Sequence, residues 1–131
     1  MLVLKPSIFE LNLTLKRGAD SVIELTIVDR DKRPIINPTG YSAQAAIRAV
    51  PDPNSAALFE WNNNPSTAQG FTVITYSTDT LKSVLTLSLT GAQSALFTFT
   101  AAYWDCFVTS PLGEIDCIAG GIVTITPRYT Y

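Results

Sequence analysis

"AAYWDCFVTSPLGEIDCIAGGIVTITP", residues 101–127, is the stretch that decides how this 131-residue chain folds. Two runs rich in aromatic and β-branched residues flank "SPLG", whose proline and glycine suit a tight turn, so the whole reads as a β-hairpin. With Pro111 second and Gly113 fourth in a four-residue turn, Thr109 faces Glu114, and counting outward sets Cys106 directly opposite Cys117. Opposed residues in an antiparallel pair hold their Cβ atoms about 4.5–5.5 Å apart, so a cross-strand disulfide is feasible and would stabilise by about 3 kcal/mol. In a reducing cytosol the same two residues serve as small, inert, packed thiols. A slip of one residue in the turn would send the two side chains to opposite faces.

The rest of the chain extends this pattern. "SIFELNLTLKRGADSVIELTIVDRDKRPI" reads as two strands broken at "KRGAD", where Gly18 accommodates a positive φ. Ile23, Leu25 and Ile27 alternate with Glu24 and Thr26, which puts one face in the core and one in water. "NPTGYSAQAAIRAV" gives a turn and then a strand, with Tyr41, Ala43, Ala45 and Ile47 on one side and Gln44 and Arg48 on the other. Its alanines also suit a helix, but one of about nine residues is marginal in water, so the strand is preferred. Residues 51–70 change character: three prolines and four asparagines surround "ALFEW", which reads as a short edge strand within a loop excursion. "FTVITYS" and "SVLTLSL" are strands joined by "TDTLK". "TGAQSALFTFT" has room for one short helical turn near residues 90–96, capped by the Thr90 hydroxyl. About eight short strands at regular spacing predict one all-β domain over residues 1–131, a sandwich or a small barrel.

Composition excludes several function classes. Charged residues make up 15% of the chain and hydrophobic ones 47%, and sixteen threonines push further toward strands. A chain of this length buries roughly two thirds of the surface its unfolded form exposes, enough for a real core. Nine basic and eleven acidic residues are scattered, without the basic stripe that a nucleic acid or an anionic membrane requires. No apolar run reaches the roughly twenty residues of a membrane span, and the start lacks a signal peptide's pattern, so folding in the cytosol is expected. The chain contains no histidine, which removes the usual base for cysteine or serine catalysis, and two cysteines alone do not complete a zinc site. Asp105 and Asp116 flank the cysteines and could approach each other across the hairpin. An aspartate in a strand, however, ordinarily takes hydrogen bonds from a turn or faces water. No enzyme activity, cofactor or metal is expected.

The aromatic residues carry the remaining signal. Tyr103 and Trp104 point to opposite faces of one strand. Phe59 and Trp61 share a face of the edge strand, where they either close the end of the core or, with Leu58, anchor a neighbouring subunit. Tyr129 and Tyr131 near the C-terminus, and the initial "MLVL", are similar candidates. A sugar platform built from Trp61, Trp104 or Tyr103 is the alternative of another class.

The order of these motifs resembles the immunoglobulin-like β-sandwich modules of tailed-phage structural proteins, including the N-terminal module of upper baseplate proteins and short minor tail proteins of actinobacterial phages. The matching positions are Arg17 and Gly18, Thr39 and Gly40, Ile47 and Arg48, Tyr103 and Asp105, Gly113, and the run from Gly121 to Pro127. The asparagine-rich insert, and a cysteine where an aliphatic residue commonly follows the aspartate, depart from that pattern. The resemblance implies an antiparallel immunoglobulin-like sandwich of about seven to nine strands. It implies a non-catalytic part of a phage particle, in the tail, baseplate or head-to-tail region, or else a capsid decoration or collar protein. Its partners would be other virion proteins, with copies of the same chain among the candidates, and its location the virion after synthesis in the host cytoplasm.

Overall fold

The computed structural model describes residues 9–28, 33, 35–52, 54–62, 70 and 72–127; Tyr129, Tyr131 and the initial "MLVL" lie outside them. Among the described residues are nine strands and one helical turn: β1 (Phe9–Glu10), β2 (Leu13–Lys16), β3 (Ser21–Ile27), β4 (Ser42–Arg48), β5 (Ala57–Trp61), β6 (Thr72–Ser77), β7 (Lys82–Leu89), α1 (Gly91–Ser94), β8 (Ala101–Thr109) and β9 (Ile115–Thr126). They form an all-β sandwich of two sheets. The smaller sheet runs β3-β7-β6, and the larger runs β5-β4-β8-β9 with β1 and β2 both beside β9. An antiparallel sandwich was expected, and the pairing departs from that at one edge, where β1 and β2 run parallel to β9. The hairpin leaves the outer edge of β9 open, and the first strands fill it.

Alternation decides what each strand buries. In β3 Ile23, Leu25 and Ile27 face in, and their partners Leu87, Leu85 and Ser83 on β7 face in with them. On β4 the alanine-rich run is a strand, with Ala43, Ala45 and Ile47 against the core. Removing such side chains from water contributes about 25 cal/mol per Å² of apolar surface, which favours packing the sheets face to face.

Two contacts tie distant parts of the chain. The short α1 carries a capping box in which the Thr90 hydroxyl accepts from the Gln93 N–H and the Gln93 side chain accepts from the Thr90 N–H. Ser94, fully buried, accepts at its hydroxyl from the Gly18 N–H at 2.9 Å, while Asp20 accepts from the Gly91 N–H at 2.6 Å. The "RGAD" turn is thereby docked on α1. At the break between β1 and β2, the Leu11 carbonyl accepts from the Trp104 indole at 2.7 Å and the Asn12 side chain from the Ile122 N–H at 3.0 Å. Gly121 permits this: a Cβ there would lie 2.6 Å from the Leu11 carbonyl oxygen.

The hairpin corrects the expected register. Thr109 pairs with Ile115, not Glu114, because the loop is one residue longer than a two-residue turn. The Gly113 N–H donates to the Ser110 carbonyl, Gly113 takes φ 84°, and the Ser110 N–H donates to the Glu114 carbonyl. This is a type I turn followed by a left-handed glycine. A bulge then shifts the ladder, so Phe107 pairs with Cys117 and Cys106 with Ala119. The two cysteines are free and are not opposite each other. Asp105 pairs with Gly120 and Asp116 with Val108, so the two carboxylates are not cross-strand partners either.

Candidate binding face

The edge strand β5 decides between the two roles expected of its rings: Phe59 and Trp61 close the core and do not serve as an assembly interface. Phe59 and Trp61 are 3% and 0% exposed, so neither ring is free to grip a neighbour. They meet edge to face at 4.8 Å between centroids, and Phe59 continues to Phe97 at 5.7 Å. The Trp61 indole crosses the core and donates to the Ser88 carbonyl of β7 at 2.8 Å. Gly70 closes the outer side of β5, with its N–H donating to the Glu60 carbonyl and its own carbonyl accepting from the Asn62 N–H. Leu58, on the opposite face of β5, remains 38% exposed. Of the proposed contact residues that the structure describes, it alone is available on the surface.

Leu58 belongs to the outer face of the larger sheet, and there the structure assembles a feature that no single strand announces. Register sets Arg48, Tyr103 and Ile122 side by side across β4, β8 and β9, with Ala46, Asp105 and Gly120 in the next row. Tyr103 and Ile122 are 41% and 46% exposed. Together with Val50 and Pro51 they wall a depression of about 260 Å³ that is also lined by Ala46 and Gly121. Small residues in the sheet lower its floor, and larger ones raise its rim.

The depression contains one ion pair, Arg48 Nη1 to Asp105 Oδ1 at 3.6 Å. Arg48 is held in place by donating from Nε to the Ser55 carbonyl at 3.2 Å. Burial pushes the Asp105 carboxyl above its ordinary value, and the neighbouring guanidinium acts against that shift. The result is an apolar surface with an internally balanced charge, which suits the docking of a protein surface.

The cysteines offer no chemistry to this face. Cys106 is fully buried, and burial pushes its thiol up to about 12, with the nearby Cys117 and Asp105 adding to the effect. Burial also raises the Cys117 thiol, and its Sγ donates to the Ala119 carbonyl at 3.5 Å. Thiols held protonated are poor nucleophiles. Among the described residues no group of three Asp, Glu or Cys side chains gathers where it could hold a metal, and no helix is long and apolar enough to cross a membrane.

The sequence alone sets Tyr103 and Trp104 on opposite faces, as they are. It could not place Tyr103 beside Ile122 and Arg48, because that juxtaposition depends on the bulge in β9 and on the antiparallel pairing of β4 with β8. No family model and no curated protein sequence matches this chain.

Proposed function

We propose that the chain is a non-catalytic structural module of a bacteriophage particle, in the tail, baseplate or head-to-tail region, that joins its neighbours through the outer face of the larger sheet. The phage assignment rests on the motif order from Arg17 to Pro127 and fits the all-β sandwich. The observation that carries the assembly role is the exposed apolar surface of Leu58, Tyr103, Ile122 and Val50 around a balanced ion pair. Exposed apolar surface of this kind, grouped on one rigid face, marks a site of protein contact. Repetition around a ring turns modest contacts into strong attachment.

The sugar-platform reading loses its rings. Trp61 and Trp104 are buried and their indole N–H groups are taken by the Ser88 and Leu11 carbonyls, which leaves Tyr103 alone.

Antibodies raised against the chain should label tailed particles at the tail or the head-to-tail junction in electron micrographs. Label confined to the capsid surface would move the protein to a decoration role, and particles that never carry label overturn the assignment. The contact face is tested separately: Tyr103→Glu combined with Ile122→Lys, which sets opposite charges across the β8–β9 ladder, should prevent incorporation into particles while moving the thermal midpoint by no more than about 5 °C. Normal incorporation of that variant removes the face from consideration.

A further inference from the structure

The strand edges of this sandwich differ in how well they are protected against pairing with another chain. An edge strand presents unpaired N–H and C=O groups, and soluble proteins blunt such edges with charges, proline, bulges, short strands or a covering segment. At one end of the larger sheet, β5 carries Glu60, a register shift opposite Ile47 and Arg48, and the bridge to Gly70. At the other end, β1 and β2 are two and four residues long and are interrupted at Leu11 and Asn12. In the smaller sheet β3 carries Glu24 on its exposed side.

Among the described residues the remaining edge, β6, shows none of these devices. Its sequence, Thr-Val-Ile-Thr-Tyr-Ser, holds no charge and no proline, and its first four residues are all β-branched. Its register with β7 runs without a bulge from Thr72–Leu87 to Ser77–Lys82. Among the described residues no strand pairs with its other side. Thr72 reaches the other sheet, its hydroxyl donating to the Ala43 carbonyl, so the open stretch is Val73–Ser77.

Burial points the same way. Ile74 and Tyr76 face the core side, opposite Leu85 and Ser83 of β7, which are both 0% exposed, yet they stay only half-buried. On the outer face Val73 is 52% exposed. Among the described residues the inward side chains of β6 have a paired strand on one side only.

We propose that β6 pairs with β6 of a second copy, antiparallel about a two-fold axis, to give one six-stranded sheet in the order β3-β7-β6-β6-β7-β3. A second copy is the occupant that this edge selects. An uncharged strand meets itself without repulsion, and pairing that keeps both faces continuous sets Ile74 opposite either its own counterpart or the partner's Tyr76. In both alignments the half-buried side chains gain the cover they lack. The interface is small, so the dimer is weak in free solution, with a dissociation constant of about 100 µM. The pairing uses a different surface from the Tyr103 face and does not depend on the phage assignment.

Sedimentation of the full chain at rising concentration should show a monomer–dimer equilibrium below about 1 mM. The amides of Val73–Ser77 should exchange more slowly with solvent as the dimer forms. Val73→Lys and Thr75→Lys, each on the outer face of the edge, should weaken the dimer at least about tenfold by placing charge at the two-fold. Val22→Lys, on the same outer face but on β3, should leave it intact. A chain that stays monomeric throughout overturns the proposal. So does a dimer that Thr75→Lys leaves unchanged, or one that Val22→Lys breaks equally.

Discussion

Trp61 shows how one side chain can take a strand out of circulation as a contact surface. Its ring fills the space beside Gly70 so closely that a Cβ on Gly70 would lie 2.6 Å from Trp61 Cδ1. Gly70→Ala should therefore lower stability by about 1–3 kcal/mol, as overpacking does. Adding Trp61→Phe, which shrinks the ring, should recover part of that loss in a double-mutant cycle followed by urea unfolding. Additive losses would mean the two residues do not share the space. Cys106 gives a pH prediction from the same core. Its folded thiol titrates at about 12 against an ordinary value of 9.0, so the protonated form is favoured by folding. That contribution is complete below the ordinary value and is lost as pH climbs toward the folded one, at up to about 1.4 kcal/mol per pH unit. Unfolding free energy should fall above about pH 9, and Cys106→Ala should fall less steeply over the same range. Equal slopes for the two proteins would show that other groups account for the alkaline loss.

At the scale of the element, the β6–β7 turn contains Leu81 at φ 56°, the one non-glycine residue with positive φ among those described. A leucine pays about 1–2 kcal/mol for that conformation, whereas asparagine tolerates it. Leu81 is exposed, so Leu81→Asn should raise the unfolding free energy by up to about 1 kcal/mol without touching the core. A decrease would mean that the leucine side chain packs usefully where it is. Elements whose signal is local were legible in the sequence. β3 follows from its period of two, β6 and β7 from two strand-forming runs joined by "TDTLK", and the α1 cap from Thr90. The hairpin was legible as a hairpin but not in its register. Whether "SPLG" closes over two residues or three depends on Gly113 adopting the left-handed region, and the bulge that follows has no signature of its own. Phe59 and Trp61 were legible as a pair on one face of β5, but whether that face closes the core or meets a neighbour was not. Polar flanks suggested a loop in solvent, while the cover over β5 comes from Gly70 and from Ser88 on a distant strand.

At the scale of the whole molecule, the outer face with its candidate contact surface was the least legible part, because it depends on three strands meeting in register. The arrangement also has a mechanical consequence. β1 and β2 lie parallel to β9 from Phe9–Ala119 to Lys16–Thr126, so tension applied at Phe9 and at Thr126 loads that ladder along its length, in shear, and its hydrogen bonds resist together. The β8–β9 hairpin is antiparallel, and pulling at Ala101 and Thr126 would open it one rung at a time. Single-molecule stretching should thus find a clearly higher rupture force for the first attachment than for the second, and equal forces would contradict this geometry. A chain held in that way can carry strain between its neighbours while its two sheets stay closed.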